Sequence, residues 1–226
     1  MKQTKLSNLK WLIISLVATS SVGFIKMGAE VFPPIDIVFN MLEFIVFISL
    51  IIFTKETFYK DRQSIFKYVV SISAGLSIGS TITCIFRIFS NDIPLYLLEL
   101  YLLSQATIIA SIWHSSASFS SLKMIKNENI NINIKLRYKY IGISAIFLAI
   151  QGFLFPIHGL LISFLGDVYI AEIYSFFNVV LSLGFAFSQF YAWIFLGKKI
   201  EQIKAQSTLE EDLSEEELMQ LINRER

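Results

Sequence analysis

The chain has a single cysteine, Cys84, in 226 residues, which excludes an internal disulfide framework and a cysteine-based zinc site. Charge is scarce too: Asp, Glu, Lys and Arg together make up 16% of the sequence and nearly cancel, leaving a formal net charge of +1. Neither a basic stripe nor an RNA-binding motif is present, so nucleic acid is not an expected partner. The loop G-x-x-x-x-G-K-[ST] is missing, and nucleotide hydrolysis by that route goes with it. H-E-x-x-H, a G-x-S-x-G elbow and a paired-carboxylate arrangement of recognisable spacing are missing as well. The expectation is therefore a non-enzymatic protein without cofactor or metal. A ladder of spaced arginines is also lacking, which argues against a voltage sensor.

What the chain has in excess is apolar sequence, 54% of its residues, arranged in runs long enough to cross the hydrocarbon core of a bilayer. Charge, Pro and Asn clusters divide these runs into six candidate spans, at 9–30, 35–54, 64–89, 94–122, 138–165 and 169–197. The predicted fold class is all-α, a polytopic transmembrane bundle of six helices over 1–199, followed by an acidic tail over 200–226. Lys2, Lys5 and Lys10 precede the first span, and Lys55, Lys60, Arg62 and Lys67 flank the second turn. Lys123, Lys126, Lys135, Arg137 and Lys139 crowd the fourth connection, and Lys198, Lys199 and Lys204 follow the sixth span. The alternate connections, Val31–Pro34, Ser90–Ile93 and Leu165–Val168, carry almost no basic residues. The positive-inside rule then places both termini in the cytoplasm. The expected address is multi-pass in an inner or plasma membrane, with the lipid bilayer as first partner. The basic start and the apolar run Trp11–Ala18 resemble a cleavable signal peptide, but the run continues through Val22–Ile25 and the topology balances only if this span is kept.

Asn127–Ile134 alternates asparagine with isoleucine and reads as a biased, exposed loop. In the tail, Ser214-Glu-Glu-Glu217 reads as a capping box that opens a short helix with Leu218, Leu221 and Ile222 on one side. Such a segment is either a solubilising tail or a docking helix for a cytoplasmic protein partner.

A charge at mid-depth in lipid costs about 2.5–3.5 kcal/mol on insertion scales, so one that persists should face the bundle interior. On the third span Ser73, Ser77, Ser80, Cys84 and Arg87 share a stripe at helical spacing. Asp36, Asn40, Glu43 and Phe47 share one on the second. Ser175, Asn178, Ser182 and Gln189 share one on the sixth, with Glu172 near its outer end. The fourth and fifth spans carry small-residue faces, Ser104–Ser111–Ser115–Ser118 and Gly142–Ala145–Ala149–Gly152, suited to close helix approach. Glu99 lies opposite the serine face of its own helix, so one of the two is expected to point away from the core. Pro156 should kink the fifth span beside His158 and Gly159. His114 and His158 sit at different depths, so a bis-histidine metal or haem site is not expected.

The candidate ligand-binding residues are Glu43, Arg87, Asn178, Gln189, Ser182, Glu99, Glu172 and His158. Arg87 is expected to pair with Glu43 or Glu99. The leading functional expectation is a small polar or amphipathic ligand held in an outer-half intramembrane cavity, in a sensor or receptor with a cytoplasmic docking tail. The alternatives are a small-solute transporter or permease subunit coupled to a separate ATPase, and an assembly subunit of a membrane complex.

Overall fold

The computed structural model describes residues 2–29, 35–60, 64–90, 92–126, 128, 130–165 and 168–200, with side chains for all of these except 2–7, 23–29, 165, 168–172 and 175. Six helices follow one another: α1 Lys2–Ala29, α2 Ile35–Phe58, α3 Phe66–Ser90, α4 Ile93–Ile125, α5 Ile132–Leu160 and α6 Val168–Phe190. A π-helical turn, Leu161–Leu165, ends α5, and a second one, Tyr191–Phe195, follows α6. No strand occurs among the described residues. Five helices are long and apolar enough to cross a bilayer, and Asn8–Val22 adds a shorter apolar stretch in α1. The chain is a bundle of six membrane helices. The start of α1 and the end of α6 fall on one side, where lysine and arginine concentrate, and that side is cytoplasmic by the positive-inside rule.

Helix α4 is the centre of the bundle, packing against α2, α3 and α5, while α6 closes the assembly against α5 and α1. Its 33 residues span about 50 Å at 1.5 Å each, so both ends reach past the hydrocarbon core. Both faces in question are buried, Glu99, Leu103 and Ala110 on one and Ser104, Ser111 and Ser118 on the other, while Leu98, Tyr101 and Ile112 form an outward stripe. The expected choice between Glu99 and the serine face is therefore not made, because a third face of the helix is the one turned outward. By contrast, α3 and α6 turn Ile72, Ile82 and Phe86, and Phe176, Leu183 and Phe187, outward. These apolar faces suit acyl chains as solvent.

The fifth helix starts earlier than its apolar run. Asn131 accepts from the Asn133 backbone N–H at 2.9 Å, an N-cap that satisfies one of the first-turn donors. Asn133 and Ile134 are buried, so the exposed loop expected through Ile134 ends at the cap instead.

The α4–α5 seam is close because glycine leaves room for it. A Cβ on Gly142 would meet the Phe119 ring at 2.8 Å, and one on Gly152 would meet Ile108 Cγ1 at 2.8 Å and the Ser104 carbonyl oxygen at 3.3 Å. Backbone cannot rotate away as a side chain can. Gly152→Val is therefore expected to lower stability by about 1–3 kcal/mol through overpacking, measured by thermal unfolding in detergent. Gly75→Ala, at a position with nothing within 4 Å, is expected to leave the midpoint unchanged or raise it.

Candidate functional site

The stripe on α3 faces inward as its spacing requires: Ser73, Ser77, Ser80 and Cys84 are all buried. At its outer end Arg87 reaches across two helices. Its Nε donates to Glu99 Oε2 of α4 at 2.7 Å, and its Nη2 donates to Asp36 Oδ2 of α2 at 2.6 Å. The guanidinium carbon also lies 5.3 Å from the centre of the Tyr96 ring, a cation–π distance. Asn40 completes the cluster. Its Nδ2 donates to Glu99 Oε1 at 2.8 Å and to the Asp36 carbonyl at 3.0 Å, while its Oδ1 accepts from Ser80 Oγ at 2.7 Å. Both oxygens of Glu99 are thus bonded, and one arginine holds two carboxylates through different nitrogens. This geometry suits a fork and not a point charge.

Of the two partners expected for Arg87, the structure selects Glu99 and adds Asp36. Asp36 lies one turn before Asn40 on the α2 stripe, and that spacing was its signal. Glu43 is buried one turn inward of Asn40, outside this ion cluster. The side chain of Glu172 lies outside the described residues.

Cross-helix contacts fix the heights of the remaining candidates. Ser15 Oγ donates to the Val46 carbonyl at 3.3 Å, setting α1 against α2. Asn40 with Glu99, and Thr54 with His114 at 2.7 Å, set α2 against α4. Gly152 against Ser104 and Gly159 against Leu100 set α5 against α4. Ser182 Oγ donates to Gln151 Oε1 at 3.2 Å, and Gly184 packs on Phe147, setting α6 against α5. Followed across the bundle, these registers bring Thr19, Glu43, Gln151 and Asn178 within about one helical turn of a common level. All four are buried, Asn178 to 4% exposure. His158, also buried, lies on α5 two turns outward of Gln151.

Neither Nδ2 nor Oδ1 of Asn178 has a hydrogen-bond partner among the described residues. The hydroxyls of Ser73, Ser77 and Ser111 are unpartnered too, but a serine in a helix reaches its own i−4 carbonyl by one rotation. An amide with two donors and an acceptor has more to satisfy, and leaving such a group unmade in a dry interior costs about 1–3 kcal/mol.

Gln189, two turns inward of Ser182 on the same stripe, belongs to a different assembly. Trp193 Nε1 donates to its Oε1 at 3.1 Å. Because indole is only a donor, this contact fixes the orientation of the amide. Gln189 Nε2 then gives one hydrogen to Ser144 Oγ at 2.7 Å and the other to His114 Nε2 at 3.0 Å. His114 is therefore the neutral tautomer with its hydrogen on Nδ1, which faces Thr54 Oγ1 at 2.7 Å. Thr54 and Ser144 in turn donate to the carbonyls of Leu50 and Ile141. Every polar hydrogen in this chain of side chains finds an acceptor, and four helices are joined at fully buried positions.

Two hollows in the described structure, at Tyr140–Phe187–Ser188–Tyr191 and at Leu16–Val17–Ser20–Ser21, are shallow and open at the bundle surface. Neither includes Glu43, Arg87 or Asn178. No family model, curated protein or solved structure matches the chain, so the functional reading rests on the geometry above.

Proposed function

We propose that the protein is a non-enzymatic sensor or receptor in an inner or plasma membrane. It binds a small polar or amphipathic ligand in the outer half of the bundle, between α5 and α6 and the facing sides of α1 and α2. The observation that carries this reading is Asn178, a buried amide with both polar atoms unpartnered, level with Gln151, Ser182 and Glu43. A ligand offering one donor and one acceptor would complete it. In the Arg87 cluster both oxygens of Glu99 are already engaged by protein groups and three helices are joined, so it acts as the clamp that holds α2, α3 and α4 together beside the site.

Asn178→Leu separates this reading from a purely structural one. The protein, purified in mild detergent and then denatured, is analysed by mass spectrometry for small molecules. The wild type is expected to release one polar compound in near-stoichiometric amount, and the variant to release none. The variant's thermal midpoint in ligand-free detergent should hold or rise, because an apolar side chain of the same branched shape removes an unsatisfied group. No compound from the wild type, or a marked loss of stability in the variant, defeats the proposal.

A second reading, a permease subunit for a small solute, is favoured by one feature. Pro156 and the π-helical turns Leu161–Leu165 and Tyr191–Phe195 interrupt the regular hydrogen bonding of α5 and of the span that carries Asn178. Solute counterflow in proteoliposomes distinguishes it from a receptor, which moves no solute.

A further inference from the structure

We propose that the cytoplasmic face of the bundle binds the chain's own acidic tail, residues 201–226. Lys60, Lys67, Lys123, Lys126 and Lys139 stand exposed at this end, and so do Lys198 and Lys199 at the end of the sixth span. Arg87 holds its two carboxylates at the opposite, outer end. Only Glu56 and Glu128 contribute carboxylates to the cytoplasmic face among the described residues. Two of its bases are turned to backbone: Lys135 Nζ donates to the carbonyls of Lys126 and Glu128 at 2.8 and 2.9 Å, and Lys55 donates to that of Tyr59. The exposed lysines therefore form a field with little internal neutralisation.

The tail carries the matching charge, eight carboxylates against three bases. It also begins within the lysine field. Ile200 is buried in one cluster with Phe58, Ile125, Ile134 and Tyr138, so residue 201 leaves from between the ends of α2, α4 and α5. The thirteen residues from 201 to 213 reach about 43 Å when extended, whereas neighbouring helices lie only about 8–10 Å apart. The Ser214–Ile222 segment can therefore reach any lysine on the face, at a tethered concentration on the order of millimolar. Half-buried Leu122, Met124 and Ile130, packed beside this cluster, offer apolar surface to Leu218, Leu221 and Ile222. Anionic headgroups are the competing claimant for the lysines. They would repel the tail itself, since the cytoplasmic leaflet holds a negative surface potential.

The test uses the full chain in nanodiscs of phosphatidylcholine, prepared from equal parts of light and isotope-heavy protein and treated with a zero-length carbodiimide. This reagent joins a carboxylate to an amine only when the two touch. Links from Glu215, Glu216 or Glu217 to Lys123, Lys126 or Lys139 within one chain are the expected result. Their yield should fall about fivefold as salt rises from 0.1 to 1 M and the screening length shrinks from about 10 to 3 Å. A Glu215→Lys, Glu216→Lys, Glu217→Lys triple reversal should abolish the links to these lysines. Replacing Lys123, Lys126 and Lys139 by glutamate in the same protein should restore links of opposite polarity. Tail links found only between light and heavy chains, or none at all, would overturn the proposal, as would intrachain links that vanish when phosphatidylserine is added. None of these readouts depends on the ligand site, so the two proposals stand or fall separately.

Discussion

Arg87→Met is expected to cost about 3–5 kcal/mol of stability, the range seen when one partner of a buried ion pair is removed. The reason lies in what remains. Glu99, its side chain 6% exposed, would keep the Asn40 amide but lose its counter-charge, and Asp36 would face it as a like charge. Asp36 can turn to water because its side chain is 28% exposed, so the stranded group is Glu99. This asymmetry predicts the rescue. In Arg87→Met/Glu99→Met the uncompensated charge is gone, Asn40 Nδ2 still has the Asp36 carbonyl at 3.0 Å, and most of the lost stability should return. Arg87→Lys should fall between, because one ammonium cannot reproduce bonds that leave from Nε and Nη2 in different directions. Thermal unfolding of the wild type, Arg87→Met, Glu99→Met and the double variant in one detergent gives the coupling energy directly. If the single and double variants are equally unstable, the pair is not what holds the outer ends of these helices.

The spacing of apolar and small residues made much of this legible. Six spans, the inward stripe from Ser73 to Arg87 and the need for Arg87 to find a carboxylate all follow from helical periodicity and the cost of charge in lipid. Periodicity assigns a residue to a face but does not say which helix that face meets. Hence Glu43 and Glu99 were equal claimants for Arg87, and Asp36 was visible on its stripe without being visible as a partner. The same limit hid the division of the α6 stripe. Asn178, Ser182 and Gln189 share one face, yet Ser182 reaches Gln151 on α5 whereas Gln189 reaches His114 on α4. Helix α4 shows a second limit. Periodicity reports an imbalance of polarity between faces, and α4, whose exposed Leu98, Tyr101 and Ile112 are as apolar as its buried faces, presents none. Near Asn131 the signal existed, an asparagine able to cap the next turn, but the Asn–Ile alternation around it obscured the start of α5.

The network around Gln189 carries the other large expected effect. Gln189→Leu keeps the volume and removes one acceptor and two donors, which orphans Trp193 Nε1 and takes the donor away from both His114 Nε2 and Ser144 Oγ. Hydrogen bonds between membrane helices average only about 0.6 kcal/mol each, because the unfolded chain in lipid also finds partners. Three of them therefore suggest a loss of about 2 kcal/mol. Two side chains can soften it: Ser144 keeps its own bond to the Ile141 carbonyl at 2.6 Å, and Trp193 keeps its edge contact with Phe53 at 5.3 Å and the Arg137 guanidinium at 3.8 Å above its ring. His114 keeps its Nδ1 contact with Thr54 and its ring contacts with Phe53 and Phe58, but its fully buried Nε2 is left facing leucine with nothing to replace the lost donor. The cost should therefore be concentrated on histidine. In Gln189→Leu/His114→Leu both polar partners are gone together, and the double variant should be less destabilised than the sum of the two single changes. A nuclear magnetic resonance spectrum of the His114 ring tests the same point without unfolding the protein. The wild type should show the Nδ1–H tautomer alone, and Gln189→Leu a mixture of both tautomers.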